Sequence, residues 1–326
     1  MDSATHVVMG FGLAGLSALD PALVHHSITS DAVIFGTVIG SVIPDIDTVL
    51  KFKDNATYIR HHRGLTHSLP ATCIWPIIIT LGLMVFFPGV NVLHLWLWTF
   101  LAVFLHVFVD IFNAYGTQAA RPITNKWIAL DMISIFDPFI FLVHIAGFVV
   151  WIFLGHSGVT FLAIYFLLVL YYLLRAYQHH RAITIVKAAL PEAQNVFLSP
   201  TMRPTQYHVA VKSREHFYVG ELKGVDVNVL DTFDRTPIPD HPAIRAAKSD
   251  KNISAFLSFS PIYRWEIVDT PKHCDIRFID LRYLTKGHYP FVAIARLDQQ
   301  MHVVSSYTGW VYNKEKLEKK LATTDG

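Results

Sequence analysis

Residues 92–112 read VLHLWLWTFLAVFLHVFVDIF, an apolar run in which Asp110 is the one carboxylate. A helix needs about 20 apolar residues of this kind to cross a bilayer. Three further runs lie at residues 71–87, 133–154 and 159–174. The whole chain is 52% hydrophobic and 16% charged, which is too apolar for an ordinary soluble protein. The sequence therefore predicts an integral membrane protein.

Two earlier apolar runs, residues 5–19 and 31–43, are shorter and rich in glycine. They fit tightly packed spans, re-entrant segments or interfacial helices. If both are spans, every Lys and Arg before residue 176 falls in the loops 44–68 and 113–132, while the opposite loops carry none. The positive-inside rule then favours six spans in the cell membrane, with both termini and the charged loops in the cytoplasm.

The charge distribution also marks a domain boundary near Arg175. Basic residues are sparse before it: Lys51, Lys53, Arg60, Arg63, Arg121 and Lys126 are the six that precede it, out of 27. The sequence therefore predicts a polytopic α-helical membrane domain of four to six spans over residues 1–175. A small soluble β-rich or α+β domain over residues 176–326 follows it on the cytoplasmic side.

The second half contains short β-branched and aromatic runs, which are typical of strands. They lie at residues 207–211, 263–268, 277–281, 291–297 and 302–307. Helical patterns occupy residues 242–248 and the stretch from Lys314. Apart from the terminal run 314–320 there is no basic tract, so nucleic acid is not an expected partner. The expected partner is the lipid bilayer, and nothing in the pattern identifies a protein that binds the soluble half.

Ionisable residues near the apolar runs point to a metal site, because such residues are costly in hydrocarbon and normally serve a function. His106 and Asp110 are four residues apart and share one face of a helix. Asp45 and Asp47 follow the second run, and alternate residues of an extended turn point the same way. Imidazole and carboxylate ligands together suit Zn²⁺, Mn²⁺ or Fe²⁺.

In the six-span arrangement these residues meet near the cytoplasmic face, together with His6 and the histidines of His61-His62-Arg63-Gly64-Leu65-Thr66-His67-Ser68. We therefore predict a divalent metal, with Zn²⁺ favoured, and ligands drawn from His6, Asp45, Asp47, His62, His67, His106 and Asp110.

Each residue also has a structural interpretation. His106 with Asp110 fits a buried hydrogen bond, and Asp45 or Asp47 fits the cap of a helix that begins near Thr48. Asp137, which precedes a proline, fits either a further ligand or a helix cap. Arg63 fits a salt bridge to one of the aspartates, or a contact with a phosphate.

The combination of His6, the Pro44-Asp45-Ile46-Asp47 turn, the segment from His62 to Ser68 and the pair His106 and Asp110 resembles the YdjM/YfhP-type family of predicted membrane-bound metal-dependent hydrolases. That family is in turn distantly similar to the zinc-dependent phospholipase C and single-strand nuclease group. The latter uses a second His-x-x-x-Asp/Glu pair, but here Phe148 stands four residues after His144. The resemblance therefore implies one or two metals rather than three.

The resemblance implies a hydrolase in which Asp47, His62, His106 and Asp110 hold a cation. His6, Asp45 and His67 would complete a second position or surround the first. Asp45 is the expected general base and Arg63 a further candidate catalytic residue, with a phospholipid or another phosphoester amphiphile as substrate. Two alternatives stay open: a non-enzymatic regulatory membrane protein with a structural metal, and a transporter.

Overall fold

The computed structural model describes residues 1–271, 273–285 and 287–322, which form two compact units. The first unit is built from three pieces of chain: Met1–Asp47, Arg63–His180 and Pro200–Pro204. The second unit is built from Thr48–His62, Arg181–Ser199 and the described chain from Thr205 onward. A segment in the N-terminal half of the chain, residues 48–62, therefore belongs to the same unit as the C-terminal half.

The first unit is helical. Its helices are α1 (Ser3–Leu16), α2 (Pro21–Val24), α3 (Ser27–Gly40), α5 (Leu69–Phe86), α6 (Val92–Asp110), α7 (Pro138–Leu154) and the first part of α8 (Ser157–Ala189). Helix α3 packs against α6 and α1, and α5 packs against α6. Short 3-10 turns at Ser17–Leu19, Ile43–Phe52 and Leu65–His67 connect these helices to the loops.

Helices α5, α6 and α8 are long and apolar enough to cross a membrane. The apolar stretch is 28% buried in α5, 39% buried in α6 and 22% buried in α8, so most of each helix surface can face lipid. Helix α3 and the segment Ile43–Phe52, which meet at a bend of 43°, would together make a fourth span. The described residues thus give three spans, or four with the bent pair, and only the larger number falls within the predicted four to six.

The predicted span at residues 133–154 begins too early. Asp137 accepts hydrogen bonds from the backbone N–H groups of Phe139 and Ile140, and Pro138 occupies the first turn of α7. An N-cap followed by proline starts a helix at that point, so α7 has 17 residues and is shorter than α5, α6 and α8. Of the two interpretations of Asp137, the helix cap is the one the structure supports.

The second unit contains two four-stranded sheets. The first has the order β1 (Asn195–Pro200), β2 (Gln206–Lys212), β3 (His216–Lys223) and β4 (Asp226–Asp234), and β2 to β4 pair antiparallel. The second is antiparallel, with the order β5 (Tyr263–Asp269), β6 (Cys274–Asp280), β7 (Phe291–Leu297) and β8 (Val303–Trp310). The prediction of a soluble domain with both strands and helices is confirmed.

Helices α9 (Pro242–Ser249), α10 (Lys251–Phe259) and α11 (Lys314–Ala322) accompany the second sheet. All five predicted strands and both predicted helical patches fall on observed elements. Strands β1, β3 and β4 and helix α10 were not predicted. In β4 every side chain is exposed or half-buried, so this strand contributes no fully buried residue to the core.

Residues 55–61 form helix α4 (Asn55–His61), which packs against α10 and β8 of the same unit. The Asn55 side chain donates to the Thr308 carbonyl at 3.0 Å, and the Arg60 guanidinium donates to the Ser254 hydroxyl at 2.6 Å. Ile59 packs on the core around Phe256. Polar bonds and apolar contact together make α4 part of the soluble unit.

Candidate metal centre

Four of the predicted ligands come together in the first unit. Asp45 lies in the 3-10 segment after α3, and His67 in the 3-10 turn before α5. His106 and Asp110 are contributed by the last turns of α6. The side chains of His67, His106 and Asp110 are fully buried, and that of Asp45 is 15% exposed. This buried group of two imidazoles and two carboxylates can hold a metal ion.

The separations of the donor atoms match a single small cation. The Nε2 atoms of His67 and His106 are 3.2 Å apart. The distances from each Nε2 atom to Asp45 Oδ1 and to Asp110 Oδ2 run from 3.5 to 3.8 Å. A tetrahedral ion with ligand bonds of about 2.1 Å places neighbouring donors about 3.4 Å apart. These five separations, between 3.2 and 3.8 Å, therefore lie close to those of a tetrahedral site.

The tautomer of His106 follows from its other ring nitrogen. Nδ1 lies 2.6 Å from the backbone carbonyl oxygen of Ser41. A carbonyl can only accept a hydrogen bond, so Nδ1 carries the proton and donates it. In the neutral ring Nε2 is then unprotonated, and its lone pair faces His67. Holding one ring nitrogen of a histidine in this way is the usual means of orienting a metal ligand.

A relay of hydrogen bonds fixes His67 in the same tautomer. The Thr66 hydroxyl donates to Asp47 Oδ2 at 2.6 Å, because a carboxylate can only accept. With its one proton used, that hydroxyl accepts from His67 Nδ1, which lies 3.1 Å away. The lone pair of His67 Nε2 is therefore also directed into the group. Asp47, predicted to be a ligand, is linked here through Thr66 to Nδ1 of His67, the ring nitrogen that faces away from the group.

The two Nε2 atoms cannot be hydrogen-bonded to each other in this arrangement, since neither carries a proton. Two lone pairs at 3.2 Å repel each other. Asp45 Oδ1 is buried without a hydrogen-bond partner among the described residues, and Asp110 Oδ2 is buried with the Arg63 guanidinium 3.1 Å away. Burying such groups is costly unless they are paired or bind a metal. A cation at the centre would remove the repulsion and satisfy all four atoms.

Arg63 holds Asp110 in place. Its Nη2 atom lies 3.1 Å from Asp110 Oδ2, and the same guanidinium donates to Asn113 Oδ1 at 3.2 Å and to the carbonyl of Met1 at 3.0 Å. The backbone of Arg63 has a φ of 58°, the left-handed region that a non-glycine residue adopts at some cost. Its amide donates to Asp47 Oδ2 at 2.8 Å. Of the two interpretations of Arg63, the structure supports the salt bridge.

His6 lies beside the group rather than inside it. Its ring stacks on that of His106 with centroids 3.7 Å apart, and its Nε2 is 3.3 Å from Asp110 Oδ1. Both ring nitrogens are buried without a hydrogen-bond partner among the described residues. The terminal amine of Met1 also contacts Asp110 Oδ1. His6 therefore lies next to Asp110, and its assignment as a metal ligand stays a prediction.

His62 belongs to the second unit. It caps the C-terminal end of α4, and its ring stacks on Tyr58 with centroids 4.5 Å apart. The assignments of Asp47 and His62 as metal ligands stay predictions.

Two contributors to this arrangement were missed in the sequence, Thr66 and the carbonyl of Ser41. Thr66 stands next to His67, so asking which neighbour binds the second nitrogen of that histidine would have found it. The Ser41 carbonyl has no sequence signal, because every residue carries one.

Comparisons with known proteins identify the relatives of this chain. The model of the family described as YdjM inner membrane protein matches residues 1–182. Residues 191–233 match the YfhP middle domain, and residues 242–321 match the YfhP C-terminal alpha/beta plait domain. The chain is 52% identical over 322 residues to the uncharacterized protein YfhP of Bacillus subtilis (strain 168), covering 98% of each chain. No solved structure matches.

Proposed function

This chain belongs to the YdjM family of inner membrane proteins, and from that premise we propose that it is a metal-dependent hydrolase of the membrane surface. The observation that carries the proposal is the pair of unprotonated Nε2 atoms of His67 and His106, 3.2 Å apart and facing two buried carboxylate oxygens. The ligands in this proposal are Asp45, His67, His106 and Asp110.

Zn²⁺ is the metal we favour over Mn²⁺ and Fe²⁺. Two nitrogen and two oxygen donors at near-tetrahedral separations suit Zn²⁺, whereas harder ions prefer more oxygen ligands. When bound, such an ion supplies Lewis-acid activation of water and of a phosphoryl or acyl oxygen.

Residues of the chain would provide the other functions. Asp45 is the one partly exposed member of the group, so it marks the side from which water and substrate can enter. Its Oδ1 is buried toward the histidines, and its second oxygen is the group we propose as proton acceptor. Arg63 is already bonded to Asp110, Asn113 and Met1, and we assign it to positioning Asp110 rather than to binding phosphate.

The proposed substrate is a phosphoester of an amphiphile, such as a phospholipid. His106 and Asp110 lie in the last turns of an apolar spanning helix, a depth that corresponds to the lipid headgroups. The distribution of Lys and Arg supports a site on the cytoplasmic side.

Metal analysis by mass spectrometry tests the proposal. Detergent-purified wild type should carry about one equivalent of metal, and His106→Ala should lose it. His94→Ala is the matched control, because His94 lies on the same helix but bonds to Asp20 at 2.6 Å, away from the group. A wild type that stays metal-free after reconstitution with Zn²⁺ would contradict the proposal.

A second candidate, a structural metal in a regulatory membrane protein, is favoured by one specific observation. Four protein donors at near-tetrahedral spacing fill a zinc site, and closed sites of that kind are normally structural. Loading with Co²⁺ separates the two functions. An absorption spectrum that shifts when inorganic phosphate is added indicates an open position and supports the hydrolase. An unchanged spectrum, with no hydrolysis of phosphoesters, supports the structural metal.

A further inference from the structure

The second unit contains a cleft of about 650 Å³ that is lined by charged and aromatic side chains. It lies where the ends of β2 and β4 meet the start of β5, so both sheets contribute to its walls. Small-molecule sites in proteins usually enclose about 300–1,000 Å³. The cleft has the size of a ligand site, and it is separate from the metal centre of the first unit.

Cations outnumber carboxylates in the walls of this cleft, whose charged lining residues are Lys212, Arg214, Arg235, Arg264 and Asp234. Among the described residues, neither Lys212 nor Arg214 forms an ion pair, and Arg214 is exposed. A concave surface with this excess of positive charge attracts an anion.

Neutral hydrogen-bond acceptors hold the Arg235 side chain in place, so these bonds do not neutralise its positive charge. Its Nη1 atom donates to the Ser213 carbonyl at 3.0 Å and to Gln194 Oε1 at 3.4 Å, both of which are neutral acceptors. Arg264 pairs with Glu266, while its Nε is buried without a hydrogen-bond partner among the described residues. Guanidinium groups fixed in this way present N–H donors in the geometry that phosphate oxygens require.

Aromatic side chains form the rest of the wall. Trp265 is held by a hydrogen bond of 3.2 Å from its Nε1 to the Thr236 carbonyl. Tyr263, two residues earlier in β5, packs edge-to-face against Phe256 and Phe278 of the core, so it supports this wall from the core side. Phe217 and Phe233 complete the lining. Flat rings beside fixed cations are the combination that binds a base by stacking and its phosphates by charge.

We propose that this cleft binds a nucleotide, with its phosphates on Lys212, Arg214 and Arg235 and its base against Trp265. The concave shape and limited volume favour a small molecule over a polymer or a lipid surface. The proposal does not depend on the hydrolase activity, because every residue it uses lies in the second unit.

Equilibrium dialysis of the full-length protein in detergent tests this proposal. The probes are AMP, ATP, GTP, a cyclic dinucleotide, inorganic pyrophosphate and an oligo-dT strand. We expect at least one nucleotide to bind more tightly than pyrophosphate, and Arg214→Glu to weaken that binding by about tenfold or more. Lys248→Glu is the matched control, since Lys248 is an exposed cation on α9 outside the cleft, and it should leave binding unchanged.

Four results would overturn the proposal. The first is that every nucleotide binds more weakly than about 1 mM. The second is pyrophosphate binding as tight as that of any nucleotide, which would mean a plain anion site. The third is equal weakening by Arg214→Glu and Lys248→Glu, which would mean unspecific charge attraction. The fourth is tighter binding of oligo-dT than of any nucleotide. Thermal unfolding of each variant verifies that the charge reversals leave the fold intact.

Discussion

At the scale of single residues, the position of one proton on each imidazole decides what the buried group can do. His106 donates from Nδ1 to Ser41, and His67 donates from Nδ1 to Thr66. Both rings then turn their lone pairs to the same point. The Asp47 carboxylate accepts the proton of the Thr66 hydroxyl, so that hydroxyl is left to accept the hydrogen bond from His67 Nδ1.

Thr66→Val should weaken metal binding by about 10–100-fold, because the methyl group that replaces the hydroxyl cannot accept the proton of His67 Nδ1. Zn²⁺ affinity measured by competition with a chelator checks this. Thr66→Ser retains the hydroxyl and should bind metal nearly as well as wild type. Equal affinities for Thr66→Val and wild type would show that the relay does not orient the ligand.

The sequence predicted residues that the structure brings together, but not which of them face the centre of the group. His106 with Asp110 was predicted from helical spacing, which is a local property. Asp45 was expected to act mainly as a base and Asp47 as a ligand. Oδ1 of Asp45 faces the histidines, and Asp47 bonds to Thr66 and Arg63 while its role as a ligand stays a prediction. A separation of two residues does not determine which carboxylate turns inward, because the 3-10 backbone around them sets that direction.

At the scale of elements, close contact positions α1, which carries His6. A Cβ added at Gly15 would lie 2.3 Å from Phe161 Cδ2, and Phe161 is fully buried on α8. A Cβ added at Gly10 would lie 2.9 Å from the backbone of Val38 on α3. The glycine-rich run at the start of the chain therefore serves tight helix packing, one of the three interpretations that the sequence allowed.

Gly15→Ala should destabilise the first unit by about 1–3 kcal/mol, since the ring of Phe161 has to move. Gly82→Ala is the matched control, because nothing lies within 4 Å of a Cβ added at that position on α5. Thermal unfolding of both variants in detergent measures the difference. A Gly15→Ala protein as stable as Gly82→Ala would contradict the close packing of α1 on α8.

A different contact joins β6, β7 and α11 in the second unit. Asp275 is buried and pairs with Arg296 directly across the strands, with Nε to Oδ1 at 2.8 Å. Arg296 also binds Glu318 of α11 at 2.9 Å. Burial alone would raise the pKa of Asp275, but hydrogen bonds from Arg296 and Arg277 outweigh it and lower that pKa.

Because the pKa of Asp275 is lower in the folded than in the unfolded protein, its stabilisation is complete above the unfolded pKa, near 4. It is lost as the pH falls through the folded pKa. Asp275→Asn should cost roughly 3 kcal/mol at pH 7 and flatten the acid dependence. Glu318→Gln removes a more exposed partner of the same arginine and should cost under about 1 kcal/mol.

Hydrogen exchange of the β6 and β7 amides in the full-length protein, followed from neutral to acid pH, reports these changes. An Asp275→Asn protein whose exchange depends on acid as steeply as that of wild type would mean that other carboxylates control the loss.

At the scale of the whole molecule, the composition of the soluble unit is what the sequence did not predict. Residues 48–62 lie between two apolar runs and were assigned to a cytoplasmic loop, yet α4 packs on α10 and β8. The contact joins Asn55 to Tyr307, 252 residues away, and no local pattern encodes a pairing at that distance. Composition predicted the membrane half and the strands of the soluble half because those signals are local.

Ile59→Asp should detach α4 from the soluble unit, because Ile59 packs on its apolar core. Amides of α4 should then exchange about as fast as those of an exposed loop, whereas in wild type they are protected. Arg60→Ala removes only the exposed bond to Ser254 and should change this exchange little. Unprotected α4 amides in wild type would show that the helix is not docked.

The docking of α4 also constrains how the protein is made. Ribosomes synthesise about 5–20 residues per second, so the partners of α4 follow it by about 10–50 s. During that interval the first membrane segments are already available for insertion, and the segment between Asp47 and Arg63 waits outside the bilayer. A nascent chain that stops early therefore exposes α4 with its apolar face uncovered, a mark by which proteases can recognise an unfinished copy.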